Sequence, residues 1–330
     1  MKILKNLLVI TAALALFLVY SYAVLKPQEF KNFSLIDDGQ SIQYAGYFKD
    51  CFTGFDCGHL KSEIIERQFG RFRPLYWTIQ SAFLNTFGVN PILQHEVRVY
   101  LVGGVMLALL IFLMIQSGSN YLATFFGAAI FVSSFSFSEN IIRLGPIEPF
   151  QVILLGIFSF YYLSLNRISK AIGETLYFTI FTVLFLSLIL IKETSAAIIP
   201  VVLVHAWFSN TPKKLFRNFV AIISFGLIIL IGSILVAGKG TEVAYSSNYS
   251  LNPTSVIGNS VGYFQQFYNM TGFIFKFFVF EVIIMLSLGK FKSYALSPNK
   301  TYWILVFIFF TGILTPWPFV LERYLLVTMF

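Results

Sequence analysis

Two adjacent carboxylates, Asp37 and Asp38, follow the first apolar stretch of the chain, in the sequence DDGQ. One carboxylate of such a pair can take a proton from an attacking hydroxyl while the other orients a partner or a cation. Because neighbouring residues on a strand or turn point in different directions, we expect only one of the two to face a given site. The alternative is a solvated turn, since Asp-Gly is a common turn dipeptide.

Arginine residues that could bind an anion occur in two segments. Arg71 and Arg73 come just before Pro74, which suits the first turn of a helix. Guanidinium groups at such a position bind anions through paired hydrogen bonds, and the alternative is contact with lipid head groups. Arg143 begins the second segment, RLGPIEP, whose Glu148 lies at the edge of an apolar stretch.

The position of Glu148 favours a functional role. A carboxylate at membrane depth is costly unless it is paired or functional. Prolines stand on both sides of it, and they predict irregular backbone, which is tolerated at that depth mainly where it is buried or lines a cavity.

Two further charged groups lie at the ends of apolar runs. Lys192 and Glu193 stand between the runs LFLSLILI and AAIIPVVLV. Lys192 can reach a phosphate as a compact cation, or the two ions can neutralise each other. The last group is Glu322, Arg323 and Tyr324, for which the alternative is an aromatic belt with a surface ion pair.

The elements that must position these residues are membrane helices. Of the 330 residues, 57% are hydrophobic and 12% are charged, and the mean hydropathy is +0.77, whereas soluble domains carry about 25% charged residues. The sequence therefore predicts a single all-α domain over residues 1–330, a polytopic transmembrane helix bundle of about nine to ten spans. A tenth span begins near Tyr324 and stops at Phe330, so we expect a C-terminal part to be missing. The nine complete spans are predicted near residues 6–25, 97–115, 119–136, 146–165, 174–191, 195–208, 219–238, 272–288 and 301–320.

The distribution of lysine and arginine predicts the orientation of these spans. With the N-terminus in the cytoplasm, nearly every inner loop carries cations, as short cytoplasmic loops do. The net charge of +8 is then explained largely by orientation, and no nucleic-acid partner is expected. All five charged groups fall on the extracytoplasmic face. The alternative for the first span is a cleaved signal peptide, since the sequence SYA near its end is weakly like a cleavage site.

The first extracytoplasmic loop, residues 26–96, is too long for a simple connector and is expected to carry surface helices. Apolar residues recur at helical spacing over Ile79–Phe87, and Pro74 could begin that helix. Cys51 and Cys57, the only cysteines, lie in the same loop. They could form a disulfide in an oxidising compartment or remain two free thiols in a reducing one.

In this order and placement, the motifs DD, R-P, R-x-G-P-x-E, K-E-T and E-R-Y resemble those of the GT-C superfamily. Its members are multi-pass glycosyltransferases that use polyprenyl-phosphate-linked sugars. The resemblance is nearest in style to bacterial protein mannosyltransferases and aminoarabinose transferases, and it extends from Asp37 to Tyr324. Each motif is only a few residues long, so the order of the motifs carries the resemblance.

The resemblance implies transfer of a sugar from a polyprenyl-phosphate carrier to an unknown acceptor on the outer face of a bacterial cytoplasmic membrane. Asp38, or else Asp37, would act as base or orient the acceptor. Arg143, Lys192 or Arg323 would hold the phosphate, and Glu148 and Glu193 would bind sugar hydroxyls or fix those cations. The expected partners are membrane lipids and the lipid-linked donor. No metal ligands are assigned, although paired carboxylates permit a divalent cation. The full set of predicted substrate-binding residues is Arg71, Arg73, Arg143, Glu148, Lys192, Glu193, Glu322, Arg323 and Tyr324.

Two other functions remain open at this stage. A transporter or flippase would need ionisable groups near the membrane midplane, for which Lys276 and Glu281 are the candidates. A polymerase or ligase of surface polysaccharide would also use lipid-linked glycans. The sequence contains neither a glycine-rich dinucleotide fingerprint nor a P-loop.

Overall fold

The computed structural model describes residues 2–26, 37–54, 57–58, 73–237, 252–272, 298–316 and 322–330. Every regular element in these ranges is helical. Four of the helices are long and apolar enough to cross a membrane, and the number rises to six if each of two bent pairs forms one span. An all-helical fold with several membrane-spanning helices is therefore confirmed, whereas the count of nine to ten spans stays a prediction. The predicted span at 272–288 lies, except for its first residue, outside these ranges.

The helices are numbered in chain order. They are α1 (Lys2–Tyr20), α2 (Asp37–Gly54), α3 (Pro74–Phe87), α4 (Pro91–Val97), α5 (Gly103–Gln116), α6 (Tyr121–Ser133), α7 (Phe135–Ile142), α8 (Glu148–Leu163), α9 (Leu165–Ile172), α10 (Glu174–Ile191), α11 (Ile198–Phe208), α12 (Lys213–Ala237), α13 (Pro253–Thr271), α14 (Pro298–Gly312) and α15 (Leu326–Met329). Two π-helical turns, Ser21–Leu25 and Arg98–Val102, and two 3-10 helices, Glu193–Ala197 and Glu322–Leu325, complete the regular structure of the described ranges.

Side-chain caps and prolines set several helix starts. Pro74 occupies the first turn of α3, as the sequence predicts. The side chain of Asn120 accepts a hydrogen bond of 2.8 Å from the backbone of Ala123 at the start of α6. Ser134 caps α7 in the same way, and it stands at the 53° bend between α6 and α7.

Helix α8 lies at the centre of the bundle and contacts α5, α10 and α15. Its buried face carries Val152, Leu155 and Phe158 at a spacing of three residues, which places them along one side of a helix. Phe181 and Phe185 of α10 pack against this face. The same buried core also includes residues of α1, α5, α6 and α7, so both halves of the chain contribute to it.

The path of the chain brings two helix ends together. Helix α8 begins at Glu148, α9 turns away from it by 77°, and α10 returns to end at Ile191 beside the start of α8. Helix α3 reaches the same end, where Tyr76 and Trp77 form a small buried cluster with Ile147 and Ile191. Helix α2 packs along α3, so the helix that begins with the two aspartates is attached to this end of the bundle through α3.

Candidate functional site

The loop of residues 143–147 connects α7 to α8, and residues 144–147 of it are buried. Side chains donate hydrogen bonds to several of its backbone carbonyls. Arg98, which is fully buried, donates to the carbonyl oxygen of Leu144 at 2.5 Å and also to those of Pro146 and Asn140. A buried guanidinium group needs such acceptors, because its charge cannot be left without hydrogen bonds inside the protein. Arg98 therefore fixes the irregular backbone that leads into Glu148.

Helix α3 holds the same loop from a second side. Gln80 donates to the carbonyl of Leu144 at 2.7 Å, and the hydroxyl of Tyr76 donates to that of Gly145 at 2.8 Å. The loop is thus buried with its carbonyls paired, which is the condition for irregular backbone inside a membrane protein.

Glu148 and Lys192 form a buried ion pair at the meeting point of α8 and α10. The Nζ atom of Lys192 lies 2.5 Å from Oε1 of Glu148, and the two side chains are 9% and 5% exposed. Glu148 is in the first turn of α8, and Lys192 directly follows the last residue of α10. Each charge therefore lies at the helix end whose dipole stabilises it.

The aromatic ring of Tyr324 completes the surroundings of this ammonium group. Its centroid is 4.9 Å from Nζ of Lys192, within the range of a cation–π interaction. The 3-10 helix Glu322–Leu325 brings Tyr324 here and packs against α7. Three residues predicted as substrate-binding, far apart in the sequence, are thus neighbours in the fold.

A small pocket, with room for about one water molecule, lies beside this ion pair, and both polar and apolar residues line it. Gln151 is one of the polar lining residues, and its Nε2 donates to Oγ of Ser195 at 2.8 Å and to Oγ1 of Thr194 at 3.2 Å. The lining residues are Glu148, Gln151, Lys192, Thr194, Phe310, Leu314, Tyr324 and Val327.

A second ion pair, between Arg73 and Glu193, lies next to the first along the chain. Nε of Arg73 donates to Oε2 of Glu193 at 2.7 Å, and a terminal guanidinium nitrogen donates to Oε1. This bidentate arrangement ties the start of α3 to the segment that directly follows Lys192. Both residues were predicted as substrate-binding, but neither lines the pocket.

The other predicted site residues either do not line the pocket or have side chains outside the described part of the structure. Arg143 is exposed and pairs locally with Glu139 at 3.6 Å, and it does not line the pocket. Asp37 and Asp38 begin α2, and Glu322 and Arg323 begin a 3-10 helix, but the side chains of these four lie outside the described part of the structure, as does all of Arg71. Their roles stay predictions.

Three features of the site were not predicted from the sequence: Arg98, Gln151 and the pairing of Lys192 with Glu148. Arg98 could have been found, because an arginine within the predicted span 97–115 is rare enough to indicate a buried role. Gln151 gives no such signal, since an uncharged amide in an apolar helix carries no charge to mark it.

Cys51 and Cys57 are joined in a disulfide, with their Cα atoms 4.4 Å apart. The sequence left this pairing open. The bond connects the last turn of α2 to the residues that follow it.

No protein-family model matches the chain, and no curated protein or solved structure matches it. Membership of a family is therefore not shown, and the resemblance to the GT-C superfamily stays a prediction. In the part of the chain that the structure describes, no group of three or more His, Cys, Asp or Glu side chains could hold a metal ion.

Proposed function

We propose that the protein is a membrane glycosyltransferase that moves a sugar from a polyprenyl-phosphate carrier to an acceptor on the extracytoplasmic face. The observation that carries this proposal is the buried Lys192–Glu148 pair beside a pocket lined by both polar and apolar residues.

The buried pair itself argues for a functional site. A buried ion pair adds little stability compared with well-packed apolar residues of the same size. Ionisable residues within membrane segments usually mark sites for substrates or ions. Lysine is a compact cation that binds phosphate as a point charge, so Lys192 is the residue best suited to the carrier phosphate.

The mixed lining of the pocket supports a lipid-linked substrate. Glu148, Gln151 and Thr194 offer hydrogen-bonding groups, whereas Phe310, Leu314 and Val327 are apolar. A sugar phosphate on an isoprenoid chain likewise combines polar and apolar parts.

The proposed reaction is an inverting displacement. A hydroxyl oxygen of the acceptor forms a bond to the anomeric carbon of the sugar, and the bond from that carbon to the phosphate oxygen breaks. Asp38, or Asp37, takes the proton of the hydroxyl, and polyprenyl phosphate leaves with the electron pair of the broken bond. Lys192 stabilises the charge on the leaving phosphate.

The remaining predicted residues support this centre. Arg143 and Arg323 would add contacts to the phosphate, with Arg71 and Glu322 at the rim. The Arg73–Glu193 pair would hold the segment after Lys192 in place. The bundle is proposed to have nine to ten spans with its N-terminus in the cytoplasm of a bacterium, and the Cys51–Cys57 disulfide fits an oxidising outer compartment.

The test uses purified protein in lipid nanodiscs with radiolabelled polyprenyl-phosphate glucose, mannose or aminoarabinose and a cell-envelope extract as the source of acceptor. Transfer of label and release of polyprenyl phosphate are both measured. Asp38→Asn is expected to abolish transfer while leaving expression unchanged. Asp50→Asn is the matched control, because Asp50 is an exposed aspartate of the same helix.

Full activity in both Asp37→Asn and Asp38→Asn contradicts the proposed base. Uptake of substrate into proteoliposomes without any covalent product would instead favour a transporter, whose candidate residues Lys276 and Glu281 lie outside the described ranges. Polymerised glycan as the product would favour a polymerase.

A further inference from the structure

Gln151 is a buried amide that the proposed reaction does not use. It lies near the start of α8, is 1% exposed and lines the pocket beside Lys192. A glutamine amide has two N–H donors and one acceptor oxygen. Its nitrogen donates to the hydroxyls of Ser195 and Thr194, so both donors are engaged.

The acceptor oxygen is left over. Oε1 of Gln151 is buried and accepts no hydrogen bond from any group in the described part of the chain. Buried polar atoms are nearly always hydrogen-bonded, and an unpaired one destabilises the protein. An unpaired acceptor on a residue that lines a pocket is accounted for if a ligand brings the missing donor.

Lys192 supplies the complementary chemistry in the same pocket. Its ammonium group has three N–H donors and carries a positive charge, and it contacts Glu148 and the ring of Tyr324. A ligand that satisfies both residues has an anionic oxygen for Lys192 and a hydroxyl or amino group for Gln151. A sugar phosphate has both on one small molecule.

We propose that Gln151 determines specificity by accepting a hydrogen bond, through Oε1, from one hydroxyl or amino group of the sugar. This inference rests on the proposed function and identifies the part of the donor that the pocket recognises. The side chain acts on binding of the sugar and takes no part in bond making or breaking.

The test measures binding of synthetic donors to purified protein in nanodiscs. The first probe is polyprenyl phosphate without sugar. The second, the parent donor, is whichever of polyprenyl-phosphate glucose, mannose or aminoarabinose binds most tightly. The remaining probes are analogues of the parent donor in which each hydroxyl or amino group of the sugar is replaced in turn by hydrogen or by fluorine. At one ring position the wild-type protein should bind the hydrogen analogue roughly three- to tenfold more weakly, the loss expected for one neutral hydrogen bond. The fluorine analogue should be equally weak, since fluorine cannot donate.

Gln151→Met keeps the size of the side chain and removes the acceptor. It should bind the parent donor and that analogue equally, at the weaker level, while binding polyprenyl phosphate as the wild type does. Gln116→Met is the matched control: Gln116 also donates through Nε2 to a serine hydroxyl, at 2.8 Å, and has a buried Oε1, but it does not line the pocket. This control should keep the wild-type discrimination.

The outcomes separate the inference from the function on which it rests. If the wild type binds and transfers sugar but no analogue is discriminated, or if Gln151→Met discriminates as well as the wild type, the inference is wrong and the proposed function stands. A fluorine analogue that binds like the parent also overturns it, because the amide would then be donating. If no sugar-linked donor binds or reacts, the proposed function is contradicted and the inference falls with it.

Discussion

Replacing Lys192 by methionine tests the buried ion pair directly. Methionine keeps much of the side-chain length and removes the cation that lies 2.5 Å from Glu148. The carboxylate stays buried at 5% exposure, so it loses this counter-ion without gaining water. The fold should therefore be destabilised even though an apolar residue replaces a charged one.

The expected size follows from the burial of both partners. Breaking a buried pair by removing one ion costs about 3–5 kcal/mol, whereas replacing both ions by neutral groups of similar size is close to neutral. For a chain of this length the single substitution should lower the melting temperature by roughly 5–10 °C. The double variant Lys192→Met/Glu148→Gln should melt within about 2 °C of the wild type.

Lys214→Met is the matched control for this experiment. Lys214 and Glu174 also lie 2.5 Å apart, but their side chains are 66% and 49% exposed. Exposed pairs contribute about 0–1 kcal/mol, so this variant should melt close to the wild type. Melting is followed in detergent by intrinsic fluorescence at one fixed scan rate. A double variant no more stable than Lys192→Met, or a Lys192→Met protein as stable as the wild type, would refute the reasoning.

Two further predictions concern the parts that hold the site. Arg98→Met removes the donors to the carbonyls of Leu144 and Pro146 and should destabilise the protein by about 3 kcal/mol or more. Arg98→Lys should recover only part of this loss, because an ammonium group lacks the planar arrangement of donors of a guanidinium group. Equal melting temperatures for Arg98→Lys and wild type would contradict the role of Arg98 in holding the 143–147 loop. The Cys51–Cys57 bond closes a loop with a sequence separation of six residues, and its reduction should destabilise the protein by about 2 kcal/mol. If both cysteines react with an alkylating agent before any reductant is added, the bond is absent.

The sequence predicted the parts of the fold and site whose signals are local. Apolar composition indicated a helical membrane protein, and Pro74 marked the start of α3. Glu148 and Lys192 were chosen because a charge at the edge of an apolar run is costly. Both now line one pocket with Tyr324, so this local signal identified residues that the fold brings together.

The sequence could not predict which partners these charges have. The sequence allowed Lys192 and Glu193 to neutralise each other, but Lys192 has an extended backbone between the end of α10 and the 3-10 helix that starts at Glu193. Lys192 therefore meets Glu148, 44 residues away, and Glu193 meets Arg73, 120 residues away. Such pairings depend on how α3, α8 and α10 pack, which no local spacing encodes.

The number of spans stays a prediction for a related reason. Nine to ten spans were expected, whereas the described residues contain four to six candidates. Short apolar helices such as the one within Glu193–Phe208 are too brief to be assigned by length and composition alone. An amide such as Gln151 also leaves no trace in hydropathy or charge, and only its place in the pocket reveals it.

The most direct test of the central claim is sugar transfer by the purified protein from a polyprenyl-phosphate donor, measured as released polyprenyl phosphate. The wild type and Lys214→Met should react at similar rates, and Lys192→Met should be slower by about 10²–10³-fold, as for loss of one group that stabilises the transition-state charge. Transfer by Lys192→Met at the wild-type rate, or no transfer by the wild type with any of the donors, would contradict the account.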